Sequence, residues 1–132
     1  MNTLYATMER LRPYCLSLLR IVAALIFLQY GLSKAFGFPD AGPPSLSGLL
    51  IVAAFLEIVG SVMLVFGAYT RIVAFILSGE MAFAYFMAHA PRSFYPIVNG
   101  GNAAILFCFV FLYLAVAGGG PLSLDRMVLK QK

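Results

Sequence analysis

Charge is scarce in this chain: Asp, Glu, Lys and Arg make up 11% of its 132 residues, where a soluble chain carries about 25%. Hydrophobic residues reach 62%, against about 45–50% in a soluble chain. A soluble domain this small cannot hide so much apolar surface, because small domains bury only part of what they own. Histidine is nearly absent, and the single His89 excludes a bis-histidine haem. The two cysteines, Cys15 and Cys108, form no CxxC pair, so cysteine metal clusters and a dithiol relay lack their ligands. Asp40 and His89 alone make no metal site. No glycine-rich phosphate loop follows a strand. The nine basic residues do not gather into a face with interleaved aromatics, which argues against nucleic acid as a partner despite a net charge of +4.

What the chain has instead is long apolar runs. Four helices are expected over about residues 14–36, 47–68, 69–89 and 99–117, each near the ~20 residues that cross a bilayer core. The runs are continuous rather than alternating, so helices are favoured over strands, and in lipid only helices or closed barrels satisfy the backbone. The first run is too long for the apolar core of a signal peptide and is read as a retained helix. Gly37-Phe38-Pro39, the short turn Gly67-Ala68-Tyr69-Thr70-Arg71, the segment Ala90-Pro91-Arg92 and the run Gly118-Gly119-Gly120-Pro121 mark the breaks. Connections this short make successive helices antiparallel neighbours. The fold class expected is therefore an all-α, integral membrane four-helix antiparallel bundle, one domain over residues 1–132.

Arg10, Arg12, Arg71, Arg126, Lys130 and Lys132 fall on one side, with Arg20 near it, and Lys34 and Arg92 on the other. The positive-inside rule then puts both termini in the cytoplasm and the loops 37–46 and 90–98 outside. A shift of 51 positions aligns Arg20 with Arg71, Gln29 with Glu80, Ala53 with Ala104 and Gly67 with Gly118, the pattern of a duplicated helical hairpin in parallel orientation. On this topology Cys15 and Cys108 lie near opposite ends, too far apart for a disulfide, and read as packing residues.

Ionisable groups inside lipid are costly, so their positions carry the functional information. In helix 1, Arg20, Ala24, Phe27, Gly31 and Lys34 share one stripe, with Gln29 and Tyr30 beside it. In helix 2, Ala53, Gly60 and Gly67 repeat every seven residues and Glu57 lies on the same small-residue face near the midpoint. A carboxylate there must pair with a cation or stay protonated, because low dielectric penalises its charged form; Arg20 and Lys34 are both candidate partners. Glu80 sits near the middle of helix 3, His89 at the outer interface where it reads as a surface or loop-capping residue, and Asn102 near the outer end of helix 4. The aromatic run with Phe107, Phe109, Phe111 and Tyr113 reads as lipid-facing or packing.

These residues, taken in order, resemble the DoxX family of bacterial membrane proteins. The likeness runs from Arg20 and Gly31-x-x-Lys34 through Glu57-x-x-Gly60 and Gly67-x-x-Thr70-Arg71. It continues in His89-Ala90-Pro91, Phe94-Tyr95-Pro96, Asn99-Gly100-Gly101 and Gly118-x-Gly120-Pro121-Leu122-Ser123-Leu124-Asp125. It covers about residues 14–126. The resemblance implies a four-helix bundle of the cell inner membrane and, for some members, thiosulfate:quinone oxidoreduction or a place in membrane oxidoreductase complexes. One departure stands out: the family commonly has an acid where this chain has Asn102. On this reading Glu57 and Glu80 handle protons, while Arg20, Lys34, Gln29, His89 and Asn102 contribute to binding. Quinone is the cofactor expected, with none covalently bound and no metal. The partners are the lipid bilayer and a soluble or membrane oxidoreductase subunit, with homo-oligomerisation left open. The alternative is a non-catalytic scaffold, assembly factor or small-solute pathway that uses the same charges as structural glue.

Overall fold

The structure, a computed structural model, describes residues 1–40 and 47–130. The remainder of the first loop, with Ala41 to Leu46, and Lys132 of the charge count lie outside the described residues. The chain is helical, with no strand among the described residues: α1 Asn2–Phe36, α2 Gly48–Phe66, α3 Thr70–Ala84, α4 Pro96–Asn99, α5 Asn102–Ala117 and α6 Leu124–Met127. A π turn, Tyr85–His89, and a 3-10 turn, Ala90–Arg92, carry α3 onward without a break. Counted with these turns, α3 joins α1 and α2 as one of three helices long and apolar enough to cross a membrane. The fourth, α5, is equally apolar but has 16 residues, about 24 Å at 1.5 Å per residue.

Two boundaries differ from the expectation. Helix 1 starts at Asn2 rather than near Tyr14 and runs through Pro13. A proline removes one helical hydrogen bond and usually marks a boundary, but here the eleven residues before it, from Asn2, are helical. The last long helix starts at Asn102 rather than 99, because Gly100 takes a left-handed φ of 76° and separates it from the short α4.

The burial pattern is that of a bundle whose surroundings are apolar. Large hydrophobics such as Phe55, Phe75, Phe83, Phe109 and Val116 face outward, while Ser17, Arg20, Glu57, Ser61, Thr70, Asn99 and Asp125 are buried. Close approach is bought at a few glycines: a Cβ on Gly31 would meet Ile58 Cγ1 at 2.8 Å and Glu57 Cβ at 3.0 Å, and one on Gly60 would meet Leu77 at 2.9 Å. Small residues at such crossings let helices pack backbone to backbone where no hydrophobic force separates helix from lipid.

The 51-residue repeat is visible in hydrogen bonds. Arg20 Nε donates to Leu64 O (2.7 Å) and Nη2 to Val65 O (3.3 Å). Arg71 Nη1 donates to Ala115 O (3.4 Å) and to Val116 O, the carbonyls 51 positions further on. Both pairs of acceptors lie at the C-terminal end of the facing helix, where carbonyls lack an intrahelical donor and the helix dipole attracts a cation. Each of these helices ends at a glycine of positive φ, Gly67 at 73° and Gly118 at 85°. The pairs α1/α2 and α3/α5 are thus two copies of one hairpin.

The C-terminal segment locks the end of the bundle that holds these glycines. Arg20 Nη1 donates to Gly119 O and Nη2 to Leu122 O (2.7 Å). Ser17 Oγ donates to Gly119 O (3.0 Å) and accepts from Leu122 N (3.1 Å). Asp125 then accepts from the backbone N–H groups of Tyr69 (2.6 Å) and Thr70 (2.8 Å), capping α3 from a distant part of the chain. Gly120 sits so close to α1 that a Cβ would meet Ser17 Oγ at 2.3 Å.

Asp125→Ala removes the acceptor of two helix-start donors and a negative charge beside Arg20. It should lower stability by roughly 1–3 kcal/mol, read as an earlier thermal unfolding transition in detergent. Asp125→Asn keeps one acceptor and should lose less. Equal transition temperatures for Asp125→Ala and the natural chain would contradict the capping role.

Candidate functional site

Three ionisable side chains from three helices meet where α1, α2 and α3 converge. Gly31 lets α1 approach α2 at the level of Glu57, and one helical turn later Lys34 lies on the same face of α1. Its Nζ reaches both carboxylate oxygens of Glu57, at 2.7 and 2.6 Å. Glu57 is fully buried, whereas the Lys34 side chain keeps 25% of its exposure. From α3, Glu80 comes within hydrogen-bonding reach of Glu57 and within electrostatic range of Lys34. Two carboxyl groups can hydrogen-bond only through a proton held by one of them. One ammonium, one carboxylate and one carboxylic acid would leave such a cluster neutral. Oε1 of Glu80 is buried and has no hydrogen-bond partner among the described residues.

Two cavities flank the cluster. One, of about 150 Å³, lies inside the bundle among Phe27, Tyr30, Phe107 and Met81, with Lys34 and Glu57 in its wall. The other, of about 430 Å³, opens between α2 and α3 among outward-facing apolar residues including Val52, Phe83 and Met87, with Lys34 and Glu80 at its base. Lys34, Ala84 and His89 belong to both walls. The larger volume is within the roughly 300–1,000 Å³ of small-molecule sites, and its lining, mostly apolar with a few convergent polar groups, is typical of them.

His89 is placed by the π turn. Its Nδ1–H donates to Asn99 O (3.0 Å), so a neutral ring presents Nε2 as an acceptor. Single π turns inside helices recur at functional sites. Asn99, buried to 1% exposure, organises this end: its Nδ2 donates to Ser93 O (3.0 Å) and to the Tyr85 hydroxyl (3.2 Å), and its Oδ1 accepts from Gly101 N (2.8 Å).

The structure thus brings Glu57, Glu80, Lys34 and His89 together and leaves the other candidates apart. Arg20 is at the opposite end, its guanidinium occupied by backbone carbonyls, so Lys34 is the partner of Glu57. Gln29 is exposed beside Tyr30, Ser33 and Asp40, and Asn102 is exposed on the first turn of α5. Cys108 packs half-buried, its carbonyl accepting from Ser78 Oγ (2.7 Å), whereas Cys15 faces outward and does not pack in the core. Phe107 and Phe111 pack on Phe27 at ring separations of 5.1 and 4.9 Å, while Phe109 and Tyr113 face out. Sequence reasoning passed over Asn99, Ser17 and Asp125 as individual residues, although Asn99 and Asp125 stand in the short glycine-bearing motifs that carried the family resemblance.

An apolar-faced helical bundle with a buried ion cluster defines the class: a membrane-embedded helical protein. The DoxX family model matches residues 15–90, and the chain belongs to the DoxX family. It is similar to an uncharacterized protein of Haemophilus influenzae, 44% identical over 94% of this chain and 98% of the other. It is also similar to a Bacillus subtilis protein named "Putative oxidoreductase CatD", 32% identical over 87% of each chain. A third relative is the Escherichia coli "Inner membrane protein YphA", 29% identical over 96% of this chain and 99% of that one. No solved structure matches the chain significantly.

Removing either partner of a buried pair strands the other charge, at a cost of about 3–5 kcal/mol, whereas replacing both by apolar groups is often neutral. Glu57→Leu should therefore destabilise the protein strongly, and Lys34→Met with Glu57→Leu should recover most of the loss. Additive losses in this double-mutant cycle, measured by thermal unfolding in detergent, would show that the pair is not coupled.

Proposed function

We propose that the protein is a multi-pass subunit of a quinone-linked oxidoreductase system in the cell inner membrane, with Glu57 and Glu80 handling protons. The observation that carries this reading is the meeting of Glu57, Glu80 and Lys34 beside a mostly apolar cavity between α2 and α3 whose wall includes Lys34 and Glu80. A quinone reaches its site from the bilayer, and its reduction takes up two electrons and two protons. The α2–α3 cavity suits the headgroup: its walls are mostly apolar, and Glu80 Oε1 is buried with no hydrogen-bond partner among the described residues. Lys34 and His89 would orient the quinone oxygens. Glu80 would give up the first proton and become a carboxylate; Glu57, ionised beside Lys34, would then take up a proton drawn from water and pass it to Glu80, which supplies the second. The electrons come from a donor or partner subunit. The names of the two relatives called an oxidoreductase and an inner membrane protein agree with this reading.

In this reading the chain crosses four times, α5 completing its span with the Pro96–Gly101 segment, and both termini are cytoplasmic. The side so assigned carries Arg10, Arg12, Arg71 and Arg126, and the opposite loop carries Arg92. The bidentate Lys34–Glu57 pair also favours a second reading, in which the ions only fix helix register in a scaffold or assembly factor.

Two measurements separate them. A short-chain quinone should raise the unfolding temperature of the natural protein, by mass action on the folded state, and should have less effect on Glu80→Leu. In membranes retaining native partners, Glu80→Gln should remain folded yet reduce quinone at least ~10²-fold more slowly, the usual weight of a positioned acid or base. Absence of a quinone-dependent shift in the natural chain, with equal rates for it and Glu80→Gln, would leave only the scaffold.

A further inference from the structure

The outward face of α1 has an order that contact with lipid does not require. Leucine recurs every seventh residue at Leu4, Leu11, Leu18, Leu25 and Leu32. Met8, Cys15 and Val22 fall midway between them at alternating spacings of four and three. This is the a/d pattern of a coiled coil with leucine at every d position. The buried face of α1, with Arg20, Ala24, Phe27 and Gly31, points the other way. Leu4, Leu11, Leu18 and Leu25 are 53%, 53%, 59% and 48% exposed.

At 35 residues, α1 is about 52 Å long, against about 30 Å of hydrocarbon. Its surplus lies at the N-terminal end. The bundle's contacts with α1 begin where Gly120 packs on Pro13 and Ser17, and every residue from Met1 to Cys15 is exposed. The leucine stripe therefore continues past the bundle, where Leu4, Met8 and Leu11 present an apolar seam beside Glu9, Arg10 and Arg12. Apolar side chains aligned in water gain by being covered. Pro13 lies on the face opposite the seam, and the helix passes through it without ending, so the seam is unbroken from Leu4 into the membrane.

We propose that this seam pairs with the same seam of a second copy of the chain, forming a parallel two-stranded coiled coil that makes the protein a homodimer. Two copies insert with one orientation, so their α1 helices run parallel with like residues opposed, the arrangement a two-fold axis and an a/d repeat both require. The seam outside the bundle is short for an independent coiled coil, which uses at least three to four heptads. Its continuation to Leu32 and the shared membrane hold the two strands together. The site on α2 and α3 faces elsewhere and plays no part in the pairing.

Cys15 sits at an a position, where the opposed Cα atoms of a parallel pair fall within the roughly 4.4–6.8 Å that a disulfide spans. The test is oxidative cross-linking of the Cys108→Ser protein in liposomes at low protein density. A covalent dimer through Cys15 is expected, and it should be lost in Leu11→Arg, which lies outside the bundle and leaves it folded. A chain without native cysteines carrying Ala6→Cys, on the far face of α1, should give no covalent dimer. No dimer through Cys15, or equal dimer through Ala6→Cys, overturns the proposal. So does a Met8→Cys side chain shielded from a water-soluble maleimide in monomeric protein, which would place the stripe on the membrane surface.

Discussion

Arg20 is fully buried, and among the described residues its guanidinium is held by the carbonyl groups of Leu64, Val65, Gly119 and Leu122. A bundle that shows hydrocarbon-like side chains to its surroundings can answer an inward polar group only with its own backbone or with another side chain. The helix ends have carbonyls to spare, so the cation settles there. Once it does, α1, the end of α2 and the C-terminal segment are tied together. Asp125 closes the arrangement by capping α3. The glycines around it are the positions at which a Cβ would push these partners out of reach.

The two hairpins repeat this device and then diverge. Arg20 and Arg71 make equivalent bonds to the ends of α2 and α5. Further along, Lys34 and Glu57 of the first hairpin correspond to Tyr85 and Cys108 of the second, and Glu80 of the second corresponds to Gln29 of the first. Because Gln29 points outward and Glu80 inward, three ionisable groups gather at a single place rather than two. The repeated bonds frame the bundle, and the departure from the repeat places the ionisable groups. The frame accounts for small residues such as Gly67 and Gly118, while the departure accounts for the ionisable groups that meet beside two cavities at one end of the bundle.

Much of the fold could be read from the sequence because a membrane protein states its spans in continuous apolar runs and its breaks in glycine and proline. The stripe from Arg20 to Lys34 and the face holding Ala53, Glu57 and Gly60 followed from helical spacing. The choice between Arg20 and Lys34 did not, since both share a face with Gly31 and differ only in height along the bundle. The start of α1 was missed because the reading followed the apolar run, which begins near Tyr14, whereas the helix extends back to Asn2 through a stretch that holds Glu9, Arg10 and Arg12. Asn99 and Asp125 were missed as organising residues because their partners are backbone groups, which no residue pattern displays.

The sequence by itself determined which segments are helical, that their outer faces suit lipid, and that a few charges must lie inside, because these depend on composition and period along one chain. Only the tertiary structure decided which charges meet. Helix rotation and depth set the distance from Lys34 to Glu57 and from Glu57 to Glu80, and a shift of one turn, about 5.4 Å, would separate groups that now meet.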